Sequence, residues 1–153
     1  MTPFERISTQ VQAQIPLVRA MEAAMGKEAA HKLVREALDK ANRAIVAQRG
    51  SLLDIPTLAI EFAAFGEGIR YEFETLERTD TLLRNQVNHC DYAEFMEQIG
   101  ARDLGELLIC NSDFAMADEL GLKLERSKTC MNGDGMCDFC YRVKAAQPPS
   151  VGV

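Results

Sequence analysis

Ile69-Arg70-Tyr71-Glu72-Phe73-Glu74 is the stretch on which the fold class turns. Apolar and charged residues alternate strictly, so an extended segment here has one apolar and one charged face, the pattern of a half-buried strand. Everything before it repeats differently. Thr2-Pro3-Phe4-Glu5 opens a helix: Thr2 caps it, Pro3 suits the first helical position and Glu5 completes a capping box. The helix is expected to reach about Ala24, to bend near Pro16, where a backbone donor is missing, and to end at Gly26. From Lys27 to Gln48, Ala30, Leu33, Val34, Ala37, Leu38, Ala41 and Ile45 recur at three- and four-residue steps and form one apolar helical face, closed by Gly50. The two helices are expected to form an antiparallel hairpin. A third, shorter helix follows Asp54 and Pro56 and ends at Gly66.

After the alternating stretch, Leu82 to Asn88 reads as its partner strand. Asp91 is placed to cap a helix carrying Tyr92, Phe95, Met96 and Ile99, and Asp103 to start another that runs to Leu120. Leu122 to Cys130 and Met136 to Val143 read as strands around Asn132-Gly133-Asp134-Gly135, whose residues tolerate positive φ. Helices first and paired strands later give an α+β fold, an N-terminal helical hairpin packed with a small helix-covered antiparallel sheet. A chain of 153 residues makes one domain, expected over 1–144, with a flexible tail over 145–153 that carries Pro148, Pro149 and Gly152.

The net charge of −6, with Lys and Arg scattered singly, argues against nucleic acid as the main partner. No apolar run approaches the roughly 18 residues a membrane span needs, and Met1 to Glu22 has no basic start followed by an apolar block. The expected setting is cytoplasmic, with no membrane partner; a homo-oligomer is left open. All five cysteines, Cys90, Cys110, Cys130, Cys137 and Cys140, lie in the second half. An odd count without a secretory signal speaks against a disulfide framework and for metal binding, catalysis or packing.

In the last strand Cys137, Phe139, Tyr141 and Val143 share one face, and Asp138, Cys140 and Arg142 the other. The Cys137-x-x-Cys140 spacing therefore puts its two thiols on opposite sides and does not read as a redox motif, which usually opens a helix. Cys130 and Cys137 flank the glycine turn and approach each other across the hairpin. Cys90, Cys110, Cys130 and Cys137 are the candidates for a thiolate zinc site; ordinary packing is the competing reading, since free cysteine is among the most buried residue types. Asp113 follows Cys110 by three residues on nearly the same helical face, where a carboxylate can take a proton or orient water. Of the two histidines, His31 falls on the polar side of its helix and His89 adjoins Cys90. A pocket is expected between the hairpin and the sheet, lined by Phe62, Phe65, Tyr71 and Phe73, residues that ordinary core packing also explains.

Asn88-His89-Cys90-Asp91-Tyr92-Ala93-Glu94-Phe95, Gly100, Leu108-Ile109-Cys110-Asn111-Ser112-Asp113, Leu124 to Thr129, Gly133 and Cys137-Asp138-Phe139 form a spaced set that resembles the L-2-amino-thiazoline-4-carboxylic acid hydrolase family over residues 66–143. Ser127, where the family pattern has Thr, and Cys130, where it has an aliphatic residue, depart from it. The resemblance implies hydrolysis of a C–N bond in a small cyclic amidine-like heterocycle. It implies Cys110 or Cys137 as nucleophile with Asp113 as acid/base, and Thr129, Asp138 and Tyr92 against the substrate. Either no cofactor is required, or zinc on Cys90, Cys110, Cys130 and Cys137 supplies an activated water. Cys130 through Gly133 to Cys137 and Phe139 is also similar to the 4-vinyl reductase domain, which implies a non-catalytic small-molecule sensor with a cysteine zinc site as the alternative.

Overall fold

The computed structural model describes residues 1–145, so the tail expected over 145–153 falls almost wholly outside the described residues. Helix α1 spans Pro3–Met25 and begins with the expected capping box: the Thr2 hydroxyl accepts from the Glu5 N–H (3.2 Å) and Glu5 accepts from the Thr2 N–H (2.7 Å). Gly26, at φ 87°, reverses the chain into α2, Lys27–Ala47, and the two helices pack as a hairpin. His31, read on the polar side of its helix, is not fully exposed. It is half-buried in the hairpin, its Nε2 3.6 Å from a Glu22 oxygen. Helix α3, Ile55–Ala64, is capped by Asp54, which accepts from the Thr57 N–H at 2.8 Å.

Strands β1 (Tyr71–Arg78), β2 (Leu82–Cys90), β3 (Leu122–Glu125) and β4 (Cys137–Val143) form one antiparallel sheet in the order β1-β2-β4-β3. Helix α4, Asp91–Gln98, leaves the end of β2, and α5, Ser112–Glu119, precedes β3. The period-two pattern is realised in β4: Cys137, Phe139 and Tyr141 are buried, opposite Val87, Asn85 and Leu83 of β2. That face is covered by α3 and α5 in one apolar core. A second core joins α1, α4 and the segment before α5 through Val11, Val18, Tyr92, Met96 and Leu104. Cys90 and Cys130 touch both cores and mark the seam between them.

Three local expectations are corrected. The helix expected from Asp103 to Leu120 is broken into a 3₁₀ turn at Arg102–Leu104, a π-helical segment at Glu106–Cys110 and α5. Gly105 lies so close to the Met131 side chain that no Cβ fits there, and the Asn111 N–H reaches back five residues to the Glu106 carbonyl at 2.8 Å. The strand expected to reach Cys130 stops at Glu125, because the carboxylate of Asp138, rather than a ladder partner, accepts the N–H groups of Ser127 (2.9 Å) and Lys128 (2.7 Å). Asp91 is the first residue of α4 and not its cap. Its carboxylate accepts from the Arg70 N–H at 2.8 Å and pairs with His89 at 2.9 Å. Among the described residues no helix is long and apolar enough to cross a membrane.

Candidate functional site

A cavity of about 160 Å³ opens between α3, α5 and the sheet. Phe62 and Phe65 line it from α3 and its end, Tyr71, Phe139 and Tyr141 from the strands, and Asp113 and Met116 from α5. The position differs from the expected one. Phe62, Phe65 and Tyr71 do line the space, but the helical hairpin does not, and Phe73 packs edge-on against Phe62 at 5.0 Å outside the lining. The reason is topological: the hairpin packs on α4, α5 and the π-helical segment, which leaves α3 and α5 to cover the sheet.

Two carboxylates border this mainly apolar space: Glu61, exposed and paired with Arg49, and Asp113. Asp113 receives a hydrogen bond at 2.9 Å from Arg126, whose guanidinium is 2% exposed, while about a third (34%) of the Asp113 side chain is accessible. Because Asp113 lines the cavity, its free surface faces that space. Arg126 is held from every side: it also donates to the Cys110 carbonyl (3.0 Å) and to Asn111 Oδ1 (3.3 Å), and lies 4.9 Å from the Phe114 ring centre and 5.1 Å from that of Phe139. Burial pushes the Asp113 carboxyl above its ordinary range, against the downward pull of Arg126. Burial, the largest influence, would lower the guanidinium, but Asp113, Cys110 and Tyr141 together outweigh it and the net shift is upward. Tyr71 and Tyr141 are kept protonated well above their ordinary range by burial. Among the described residues, Tyr92 is the tyrosine whose hydroxyl donates to a protein group, so those of Tyr71 and Tyr141 are free to donate within the cavity.

None of the five thiols lines this cavity. Cys110, on the π-helical segment, is raised well above the ordinary thiol range by burial, and Cys90 is pushed up by burial to about 11. Cys137 is raised by its hydrogen bond with Cys130 and then by burial, while the same bond lowers Cys130. The nucleophilic form of cysteine is the thiolate, and burial at Cys110 and the Cys130 contact at Cys137 both favour the neutral thiol of these two expected nucleophiles. Among the described residues no group of three or more His, Cys, Asp or Glu side chains is arranged to hold a metal ion. The proposed zinc set of Cys90, Cys110, Cys130 and Cys137 is therefore not assembled.

A protein-family model for L-2-amino-thiazoline-4-carboxylic acid hydrolase matches residues 5–141. The chain belongs to this family. The match takes in α1, α2 and α3, which the spaced motifs of residues 66–143 did not reach, and the family is named for a hydrolase. Comparison with curated proteins finds no significant match.

For this family member, the three expected substrate contacts have other partners. Thr129 is buried; its hydroxyl donates to Glu106 (3.0 Å) and accepts from the Asn132 N–H (2.9 Å), so it anchors the glycine turn to the π-helical segment. Asp138 accepts from Ser127 and Lys128 and holds the chain beyond β3 to β4. Tyr92, 1% exposed, stacks on Phe65 at 4.4 Å and donates to the Phe65 carbonyl at 3.0 Å. Asp113 alone of the named acid/base and binding residues lines the cavity. Arg126 and Tyr141 were missed. Both had a signal: Tyr141 shares a strand face with Cys137 and Phe139, and Arg126 lies in the Leu124 to Thr129 stretch that carries the family resemblance.

Proposed function

We propose that the chain is a hydrolase that opens or deaminates a small cyclic amidine-like heterocycle of the aminothiazoline type at a C–N bond, with water as nucleophile and Asp113 as acid/base. The observation that carries the reading is the Asp113 carboxylate, fixed by Arg126 and presented into an aromatic cavity. An apolar cavity of about 150 Å³ accepts benzene, so the space suits a single small ring. Amidine N–H groups donate to a carboxylate, and the aromatic walls exclude bulk water around the pair. Asp113 takes a proton from the attacking water as its oxygen bonds to the sp² carbon between sulfur and nitrogen. It returns that proton to the nitrogen, and as the C–N bond breaks the proton of the new hydroxyl passes by way of Asp113 to the same leaving nitrogen while the C=O bond forms. In ring opening, the ring nitrogen leaves as an amine, and the carbon keeps sulfur, the exocyclic nitrogen and the new oxygen. Tyr71 and Tyr141 supply O–H donors to the tetrahedral intermediate. Arg126 is a positioning residue: it fixes the orientation of Asp113 and, by opposing burial, keeps its carboxylate form accessible. The reading requires a small-molecule substrate and no bound cofactor, and sets the reaction in the cytoplasm.

The test is turnover of 2-aminothiazoline-4-carboxylate and a panel of cyclic amidines by wild type and Asp113→Asn. Asparagine keeps the shape and removes the base, so kcat should fall by about 10²–10⁴. A folded wild type that binds members of the panel and consumes none would establish the sensor alternative instead.

A further inference from the structure

We propose that Cys130 and Cys137 form a redox-active dithiol, with Cys130 the site of attack on a hydroperoxide and Cys137 the residue that resolves it into a disulfide. Two contacts place the sulfurs together. The Cys130 N–H donates to Cys137 Sγ at 3.2 Å, and Cys130 Sγ lies 3.6 Å from the Val87 carbonyl. Val87 is the cross-strand partner of Cys137, so both thiols sit at the same rung of the sheet. The turn between them is built to hold that approach. Gly133 and Gly135 adopt φ of 84° and 81°, and the Gly133 N–H closes on the Cys130 carbonyl at 3.1 Å. Arg102 donates to the carbonyls of Cys130 (2.7 Å) and Met131 (2.9 Å) and so clamps the first half of the turn.

The two thiols are unequal in access. Cys130 lines a cleft of about 210 Å³ together with His89, Cys90, Arg102, Gly133 and Gly135, whereas Cys137 is 7% exposed and lines none of the described pockets. An oxidant in the cleft reaches Cys130 before Cys137, and Cys90, which shares the cleft, has no such partner thiol across the turn. In the first step the Cys130 thiolate attacks the distal peroxide oxygen; the O–O bond breaks, sulfur is oxidised to the sulfenic acid and hydroxide (or alkoxide) leaves. In the second, the Cys137 sulfur displaces that hydroxyl, giving the disulfide and water. A dithiol reductant returns both thiols by exchange. This chemistry is independent of the Asp113 cavity and of hydrolysis.

The experiment treats the full chain with hydrogen peroxide and reads free thiols together with peptide mapping by mass spectrometry. Wild type, with five cysteines, should lose two thiols per chain, show a 130–137 cross-link lacking two hydrogens, and recover both thiols with dithiothreitol. Cys137→Ser should stop at the sulfenic acid, captured on Cys130 by dimedone. Cys130→Ser should keep its remaining thiols under the same exposure. A disulfide through Cys90 or Cys110, wild-type thiols no faster than those of a free cysteine peptide, or a Cys130→Ser protein oxidised as fast as wild type would each overturn the assignment. The wild-type map alone decides if either variant fails to fold.

Discussion

Replacing Arg126 with methionine removes the nearest and strongest positive partner of the Asp113 carboxylate and leaves only the weaker pull of Arg35. Methionine preserves the apolar stem between Phe114 and Phe139 but loses the hydrogen bonds to Asp113, the Cys110 carbonyl and Asn111. Removing one partner of a buried pair costs about 3–5 kcal/mol, mostly because the other charge is left unpaired. Asp113 is one-third accessible through the cavity, so the low end, about 3 kcal/mol, is expected. With a urea slope of about 1–3 kcal/mol/M, the unfolding midpoint should fall by about 1–3 M with the slope unchanged. The sign with pH follows from linkage. In the wild type, burial already raises the Asp113 carboxyl although Arg126 opposes it; without Arg126 it rises further above its unfolded value of about 3.9. A folded state that binds the proton more tightly than the unfolded one loses stability as pH climbs from the unfolded value to the folded one. The penalty is fully present above the folded pKa and is relieved as pH falls through it. The difference between variant and wild type should therefore be smaller at pH 4 than at pH 7, a comparison in which the titration of every other group largely cancels. An equal difference at the two pH values, or a variant as stable as wild type, would refute the claim that Arg126 is there to hold a buried carboxylate.

Tyr92→Phe, which deletes only the hydroxyl bound to the Phe65 carbonyl, should cost about 1 kcal/mol in thermal unfolding and leave KM for an amidine substrate unchanged; a raised KM would return Tyr92 to the substrate. Gly105→Ala drives a methyl group into the Met131 side chain and should cost about 1–3 kcal/mol, seen as a lower Tm, with weakened hydrogen-exchange protection at Asn111, where the π-helical segment closes. Thr129→Val strands Glu106 and the Asn132 N–H and should destabilise by about 1–3 kcal/mol while kcat per folded molecule stays the same.

Local signals carried the fold class. The capping box at Thr2 and Glu5, the helical stripe from Ala30 to Ile45, the alternation through Tyr71 and Phe73, and the glycine turn after Asn132 each depend on residues within a few positions of one another. A helix or strand is recognisable at that range because its periodicity is a property of the backbone alone. The Cys130–Cys137 approach was legible for the same reason, since it spans one tight turn. Asp113 was legible as a chemical candidate beside Cys110.

Tertiary structure decided the rest. Whether a thiol is a nucleophile depends on what surrounds it, and burial raises Cys110 while the Cys130 pairing raises Cys137. Thr129, Asp138 and Tyr92 looked available because their spacing matched a pattern; each hydrogen-bonds a group that no local rule pairs with it, Glu106, Lys128 and the Phe65 carbonyl. Gly105, inside the expected helix, has no room for a side chain because of Met131, a residue 26 positions away. By its residue type alone Arg126 reads as one more surface charge. Only the packing of α5 against β3, with Phe139 of β4 alongside, turns it into a guanidinium 2% exposed, aimed at Asp113. Periodicity tells which residues face inward, but a site is made by what they meet there, and that is set by contacts between segments far apart in the chain.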